Sequence, residues 1–233
     1  MNAQKAFLLD FDNTLFDTEK LRGIIAKRAG EATEHKFTPE DFAQAYNGFI
    51  TDGYIDLEKI ASFFSSRFGL ESAQAINIFL GAPFGECLFP ESVPLLRMLG
   101  EGAFVYSLGD AGGYQETKIN GSGILEGIPK ERIIIKQNKD AYLPQLFTQL
   151  KEKGIRDVVI VDDKADVLDC AIEASQTIGI NLEAVHVAYG RHKDEGSRYG
   201  GRLVRADTLA SVYQRFALEP AEGLVRKETE VQV

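Results

Sequence analysis

The sequence predicts an α/β protein: a Rossmann-like, doubly wound parallel sheet with a block of α-helices inserted near its start. Three features carry that expectation. Short apolar runs of strand length (Ala6-Phe7-Leu8-Leu9, Ala103-Phe104-Val105-Tyr106, Ile133-Ile134-Ile135, Val158-Val159-Ile160-Val161) show no polar alternation, as suits strands buried on both faces. These runs alternate with stretches of helical period, which makes βαβ units with right-handed crossovers and helices on both faces. From about residue 17 to 85 the apolar spacing is helical throughout, with no convincing strand, so this block interrupts the sheet. The expected division is an α/β core of residues 1–16 and 88–218, a helical domain of 17–87, and a polar, charged and mobile tail of 219–233.

The elements follow in order. After the opening strand, a helix runs from Glu19 with Leu21, Ile24 and Ile25 on one face before Gly30. Thr38-Pro39-Glu40-Asp41 starts the next, with Pro in the first position and an acid three residues after Thr38; Phe42, Ala45 and Tyr46 form its stripe. A loop at 48–53 leads to a helix opened by Asp56, faced by Ile60, Phe63 and Phe64 and ended near Gly69, and Ala73 to Leu80 forms one more. Helix Val93–Leu99 precedes the second strand, Ala103 to Ser107. Helix Tyr114–Asn120 and a loop over 121–127 precede the third, Arg132 to Lys136. Helix Ala141–Lys151 precedes the fourth, Val158 to Val161. Helix Val167–Ile178, a fifth strand over Ala184–Ala188 and a helix over Ala210–Phe216 close the chain.

Composition narrows the function. The 233 residues are 44% hydrophobic, enough for a sizeable core, and carry a net charge of -9, which disfavours a nucleic-acid partner. The two cysteines, Cys87 and Cys170, lie far apart without metal-ligand spacing and suit a reducing compartment. No apolar run reaches membrane-spanning length, and a strand begins almost at once, with no room for a signal peptide. A cytoplasmic protein with no membrane partner is expected.

Polar groups collect where the apolar runs end, and in parallel α/β sheets function gathers at the carboxyl ends of strands. The first run delivers Asp10 and Asp12, which share a side if the strand stays extended. Two such charges are tolerated with a cation between them or one shared proton. The second run delivers Ser107, then Leu108, Gly109 and Asp110. The third leads to Lys136, with Lys139 at the mouth of the next helix, and the fourth delivers Asp162 and Asp163, with Asp166 beyond. Together these types suit phosphoryl transfer from a monoester. One carboxylate attacks phosphorus, a second moves a proton, a hydroxyl and a lysine hold the phosphate oxygens, and clustered carboxylates suit octahedral Mg²⁺.

The set resembles the haloacid dehalogenase superfamily of phosphohydrolases from Lys5 to about Phe216. The family's first motif, Asp-x-Asp-x-Thr, matches Asp10-Phe11-Asp12-Asn13-Thr14. Its second matches Ser107, its third a lysine near the third strand, and its fourth Asp162-Asp163. The resemblance implies Asp10 as nucleophile and Mg²⁺ ligand, and Asp12 as general acid/base with its backbone carbonyl on the metal. It implies Asp163 as a further ligand, with Asp162 direct or through water. Thr14 would orient the acid/base region, and Ser107 with the Leu108 amide would bind phosphate. The lysine is Lys136 or Lys139; Lys139 is favoured because Lys-Asp before an Ala-Tyr-Leu helix is more like the family's arrangement. Asp166 reads as a helix-dipole acid or an outer acid of the site. The helical block between the first two motifs resembles the α-helical cap of one branch of the family.

The implied activity is Mg²⁺-dependent removal of phosphate from a small phosphomonoester through an aspartyl-phosphate. A sugar phosphomutase and a non-catalytic binding member are the alternatives. Gly121-Ser122-Gly123 reads as a plain loop, and the basic stretch from Arg191 to Arg202 as a solvated one. His186 reads as structural, and Phe16, Asp17 and Arg22 are weak candidates for substrate contact.

Overall fold

The computed structural model describes residues 5–51, 54–188, 192 and 194–218. In chain order its helices and strands are β1 Lys5–Leu9, α1 Thr18–Ala32, α2 Pro39–Tyr46, β2 Ile50–Thr51, β3 Tyr54–Ile55, α3 Leu57–Phe68, α4 Ser72–Leu80, α5 Ser92–Leu99, β4 Ala103–Leu108, α6 Tyr114–Gly121, β5 Ile133–Lys136, α7 Lys139–Glu152, β6 Asp157–Asp162, α8 Ala165–Ile178, β7 Asn181–Val187, β8 Leu203–Ala206 and α9 Leu209–Leu218. Six of the strands form one parallel sheet in the order β5-β4-β1-β6-β7-β8. The chain steps from β1 outward through β4 and β5, then returns to β6 on the other side of β1. The order therefore reverses around β1, and a ligand crevice belongs at its carboxyl end.

Alternation along β1 divides the core. Ala6 and Leu8 point to one face, where Tyr106, Phe147, Ile160 and Leu168 cover them. Leu9 points to the other, among Val105, Val161 and Val185, and that apolar cluster continues into the inserted block through Phe11, Ile25, Phe37, Phe64 and Phe79. Within the block, Phe37 meets Phe64 at 5.2 Å and Phe68 at 5.6 Å between ring centroids, and Phe49 meets Phe63 at 5.4 Å. The helix starts are those the residues prescribe. The Asp56 carboxylate accepts from the Glu58 and Lys59 amides at 3.0 Å, and Gly69 ends α3 at φ 70°. Thr38 and Asp41 cap α2 reciprocally, side chain to amide in both directions.

The two ends of the block leave the sheet side by side. Asp17 N–H donates to the Cys87 carbonyl at 2.7 Å, Phe89 N–H to the Leu15 carbonyl at 3.1 Å, and buried Ser92 Oγ to the same carbonyl at 2.6 Å.

Three expectations need correcting. The block is not purely helical, because β2 and β3 pair antiparallel across the stretch read as a loop. Each has only two residues, too few for alternation to register, although the sequence Asp-Gly at 52–53 is a dipeptide that favours hairpins. The stretch read as loop to Arg202 is followed by an unexpected sixth strand, β8, half-exposed at the sheet edge and holding only Leu203 and Val204 as large apolar residues. The fifth strand starts at Asn181 rather than Ala184, because its half-exposed first residues carry no apolar run. The tail of 219–233, with Arg191 and Lys193 of the basic stretch, lies outside the described residues.

Phe64 sits at the centre of the block's aromatic cluster and is fully buried. Phe64→Ala is expected to cost about 3–5 kcal/mol, measured as a lower urea midpoint. A loss below about 1 kcal/mol would show that the ring is not packed as described.

Candidate active site

The site begins where β1 stops. Asp10 N–H still donates to the Val161 carbonyl at 2.9 Å, extending the ladder with β6 by one step. The chain then turns sharply. The Phe11 carbonyl accepts from the Leu15 and Phe16 amides at 3.0 Å, and Asn13 takes the left-handed φ of 55°. Phe11 and Phe16 stack at 4.9 Å and anchor the turn in the core. The strand does not stay extended through the acidic pair, so the two carboxylates do not share one strand face by alternation. Both line one cavity because the turn redirects Asp12.

Asp10, Asp162 and Asp163 converge because β1 and β6 are neighbours and both end here. Each offers an oxygen within 4.8 Å of the others, and all three residues are buried. Lys139, the first residue of α7, inserts its Nζ between Asp10 Oδ1 and Asp162 Oδ2 at 2.5 Å from each. It is held there by its own helix start. Asn138 accepts from the Ala141 amide, the Tyr106 hydroxyl donates to the Lys139 carbonyl, and the Tyr106 ring lies 5.3 Å from Nζ.

One ammonium does not balance three buried carboxylates, and the proton affinities of Asp10 and Asp163 rise. Burial, with the charges of Asp162 and Asp12, pushes Asp10 up to about 7 against the pull of Lys139. Burial, then Asp10 and Asp162, pushes Asp163 up to about 8. Lys139 is held above its ordinary range: burial opposes its charge, but Asp10 and Asp162 outweigh that.

Asp163 Oδ2 is buried and accepts no hydrogen bond among the described residues. A buried carboxyl oxygen without a partner, beside two further carboxyl groups, fits a hard divalent cation such as Mg²⁺, which takes oxygen ligands. His186 of β7 steadies this corner. Its Nε2 stands 2.9 Å from the Asp163 carbonyl, which can only accept, so Nε2 carries the proton. The histidine is structural, as read from the sequence.

Asp12 has a different environment. Its Oδ1 accepts from Thr18 Oγ1 and Lys118 Nζ, both at 2.5 Å, and its Oδ2 accepts from Gln115 Nε2 at 2.7 Å. Burial works against its charge, but Lys118 and these donors hold its carboxyl below the usual range. Sequence reasoning missed all three donors. Tyr114, Gln115, Lys118 and Ile119 form the buried face of α6. Two polar residues in core-facing positions of a predicted helix were the available signal.

Leu108 lines the cavity. Thr14 and Ser107 are fully buried and do not line it; Ser107 Oγ accepts from Gln115 Nε2 at 2.8 Å. Lys136 stands over the Tyr142 ring at 4.2 Å, away from the acidic cluster. Asp166, in the first turn of α8, lines the cavity and accepts from the Val167 amide. Phe16 is core, and Asp17 caps α1 through the Lys20 amide. Arg22 lines the cavity and pairs with Glu19 at 2.8 Å. The loop 121–127 lies outside the cavity, as does the turn Gly123 makes at φ 85°.

The cavity measures about 430 Å³, with acids and lysines below and Arg22, Ile50, Tyr54 and Ile55 of the inserted block above. No protein-family model and no curated protein matches the sequence. Solved structures do. A chain from Burkholderia xenovorans described as a haloacid dehalogenase-like hydrolase superposes with a TM-score of 0.70 at 21% identity, over 92% of this chain and 98% of that one. The chain has the fold of the haloacid dehalogenase-like hydrolases. The hydrolase YfnB of this fold from Bacillus subtilis, solved bound to magnesium, superposes with a TM-score of 0.57 at 15% identity, over 91% of this chain and 98% of that one. A CbbY variant from Rhodobacter sphaeroides, in complex with xylulose 1,5-bisphosphate, gives 0.50 at 18%, over 88% and 94%. Among the described residues no helix is long and apolar enough to cross a membrane.

Lys139→Met is expected to leave Asp10 and Asp162 without their bridging ammonium. At pH 8 it should destabilise the metal-free protein by about 3–5 kcal/mol. Carboxyls with raised folded-state pKa values stabilise below their unfolded values and lose that contribution as pH rises through the folded ones. The deficit should therefore shrink toward pH 5. Urea unfolding at both pH values checks this; a pH-independent deficit would contradict the pairing.

Proposed function

We propose that the protein is a Mg²⁺-dependent phosphatase acting on a small phosphomonoester through an aspartyl-phosphate on Asp10. The observation that carries this reading is the convergence of buried Asp10, Asp162 and Asp163, with Lys139 between Asp10 and Asp162 and with Asp12 held separately by Lys118, Gln115 and Thr18. The magnesium in YfnB and the phosphorylated sugar in CbbY support it by analogy of fold.

Asp10, Asp163 and Asp162, with the Asp12 carbonyl, would hold the metal. When bound, Mg²⁺ supplies positive charge for the phosphate oxygens and for the attacking carboxylate. Asp10 attacks phosphorus, forming the acyl-phosphate bond as the bond to the leaving oxygen breaks, and Asp12 gives that oxygen its proton. A phosphate dianion beside Asp12 raises its proton affinity by like-charge repulsion, which this step requires. Asp12 then takes a proton from water attacking phosphorus, so phosphate leaves and Asp10 is restored. Lys139 balances charge at the attacking carboxylate, and Leu108 lines the phosphate end. Ser107 reaches phosphate oxygen if Gln115 yields its hydrogen bond, and Thr14 supports the turn from beneath. Residues 17–87 serve as a cap that covers the cavity and excludes water.

Hydrolysis of an aryl phosphate tests the reading. The wild type should release phosphate with Mg²⁺ and stop with chelator. Asp10→Asn should lose activity by at least about 10³-fold with its folded state intact. Mg²⁺-independent turnover, or an active Asp10→Asn protein, would sink it.

Metal and protons compete for the same oxygens. With Asp10 near 7 and Asp163 near 8, millimolar Mg²⁺ should raise the thermal midpoint clearly at pH 8 and much less at pH 5.5. An equal rise at both would mean the ion binds elsewhere.

A further inference from the structure

We infer that Lys118 and Gln115 of α6 are positioning residues that fix the Asp12 carboxylate for proton transfer, and that they act on turnover through Asp12. This inference rests on the phosphatase reading above.

Lys118 is a buried cation that takes no step of its own in that reading. Its side chain is 5% exposed, and its Nζ lies among the rings of Phe11, Phe16 and Tyr114 at 5.6–5.9 Å. An ammonium in such surroundings needs an anion. Among the described residues its ion-pair partner is Asp12. Asp12 itself is 31% exposed at the side chain and faces the cavity, so the caged cation is spent on a carboxylate that a ligand can reach.

Gln115 restrains the other oxygen. Its amide nitrogen bridges Asp12 Oδ2 and Ser107 Oγ, tying the first motif to the end of β4. The close approach depends on Gly109, at φ 149°, where a Cβ would lie 2.5 Å from Gln115 Cβ. With Thr18 and Lys118 on Oδ1 and Gln115 on Oδ2, the carboxylate is held at both oxygens.

A pair serving only stability would have no reason to face the cavity. A carboxylate that exchanges protons with two different oxygens must hold its place through both steps, since small displacements cost rate steeply. Gly109, Gln115 and Lys118 supply that restraint from one loop and one helix face.

The test compares wild type, Lys118→Met, Gln115→Met, Asp12→Asn and the double variant Lys118→Met/Asp12→Asn. The readouts are Mg²⁺-dependent hydrolysis of an aryl phosphate and crystal structures of the single variants. Each single α6 variant should lower kcat by roughly 10- to 100-fold with KM within about threefold. In the Asp12→Asn background, Lys118→Met should cost little more, because both changes remove the same function. The structures should show Asp12 displaced or in several rotamers. Gln115→Met buries no unpaired charge and keeps the comparison usable should Lys118→Met not fold. Wild-type kcat in the variants, additive losses in the double variant, or Asp12 unmoved in both structures would each overturn this role while leaving the phosphatase reading intact. A wild type that releases no phosphate would overturn both.

Discussion

Negative charge gathered in a largely buried corner is the constraint on which this site is built. Asp10, Asp162 and Asp163 are buried together because β1 and β6 are adjacent and stop at the same edge. Isolated carboxylates do not survive such burial ionised, so each must be matched by a cation, a donor or a proton. Lys139 matches two of the oxygens, the Lys164 amide donates to another on Asp162, and Asp163 Oδ2 is left over. The placement of Lys139 therefore matters more than its charge alone. It depends on α7 beginning at that residue, which the Asn138 cap and the Tyr106 hydroxyl secure.

The same constraint divides the two acids of the first motif. Asp10 continues the β6 ladder into the crowded corner, and burial with neighbouring acids raises its proton affinity. Two residues later the turn has carried Asp12 to the foot of α6, where an ammonium and two neutral donors lower it despite burial. Local backbone geometry accounts for the difference, since both are aspartates in one short loop. A strand extended through the pair would have left both in the same crowded corner.

Much of this was legible in the sequence because it rests on continuous signals. Apolar runs of strand length mark β1, β4, β5 and β6, and the polar residue ending each lands on one sheet edge by the geometry of parallel sheets. Asp10, Asp162, Asp163 and Lys139 could therefore be grouped before any coordinate was known. Short or exposed elements were not legible. The pair β2 and β3 has two residues per strand, and β8 sits half-exposed at an edge, so neither generates a periodic pattern. The α6 partners of Asp12, Gln115 and Lys118, were missed for another reason. Pairing across more than a hundred residues depends on how closely α6 approaches the first turn, and Gly109 and ring packing set that distance.

The first turn also joins the sheet to the inserted block, which gives its residues two duties. Phe11 and Phe16 stack in the core, the Leu15 carbonyl accepts from Phe89 and Ser92 on the returning chain, and Thr18 opens α1 while donating to Asp12. The entry to the block is thus fixed to the returning chain on one side and to the Asp12 carboxylate on the other. One backbone hydrogen bond at Asp17, one at Leu15 and the buried Ser92 hydroxyl hold the junction, next to Thr18 at the start of α1. The position of the helical block over the cavity and the orientation of Asp12 are, in this geometry, aspects of a single packing arrangement.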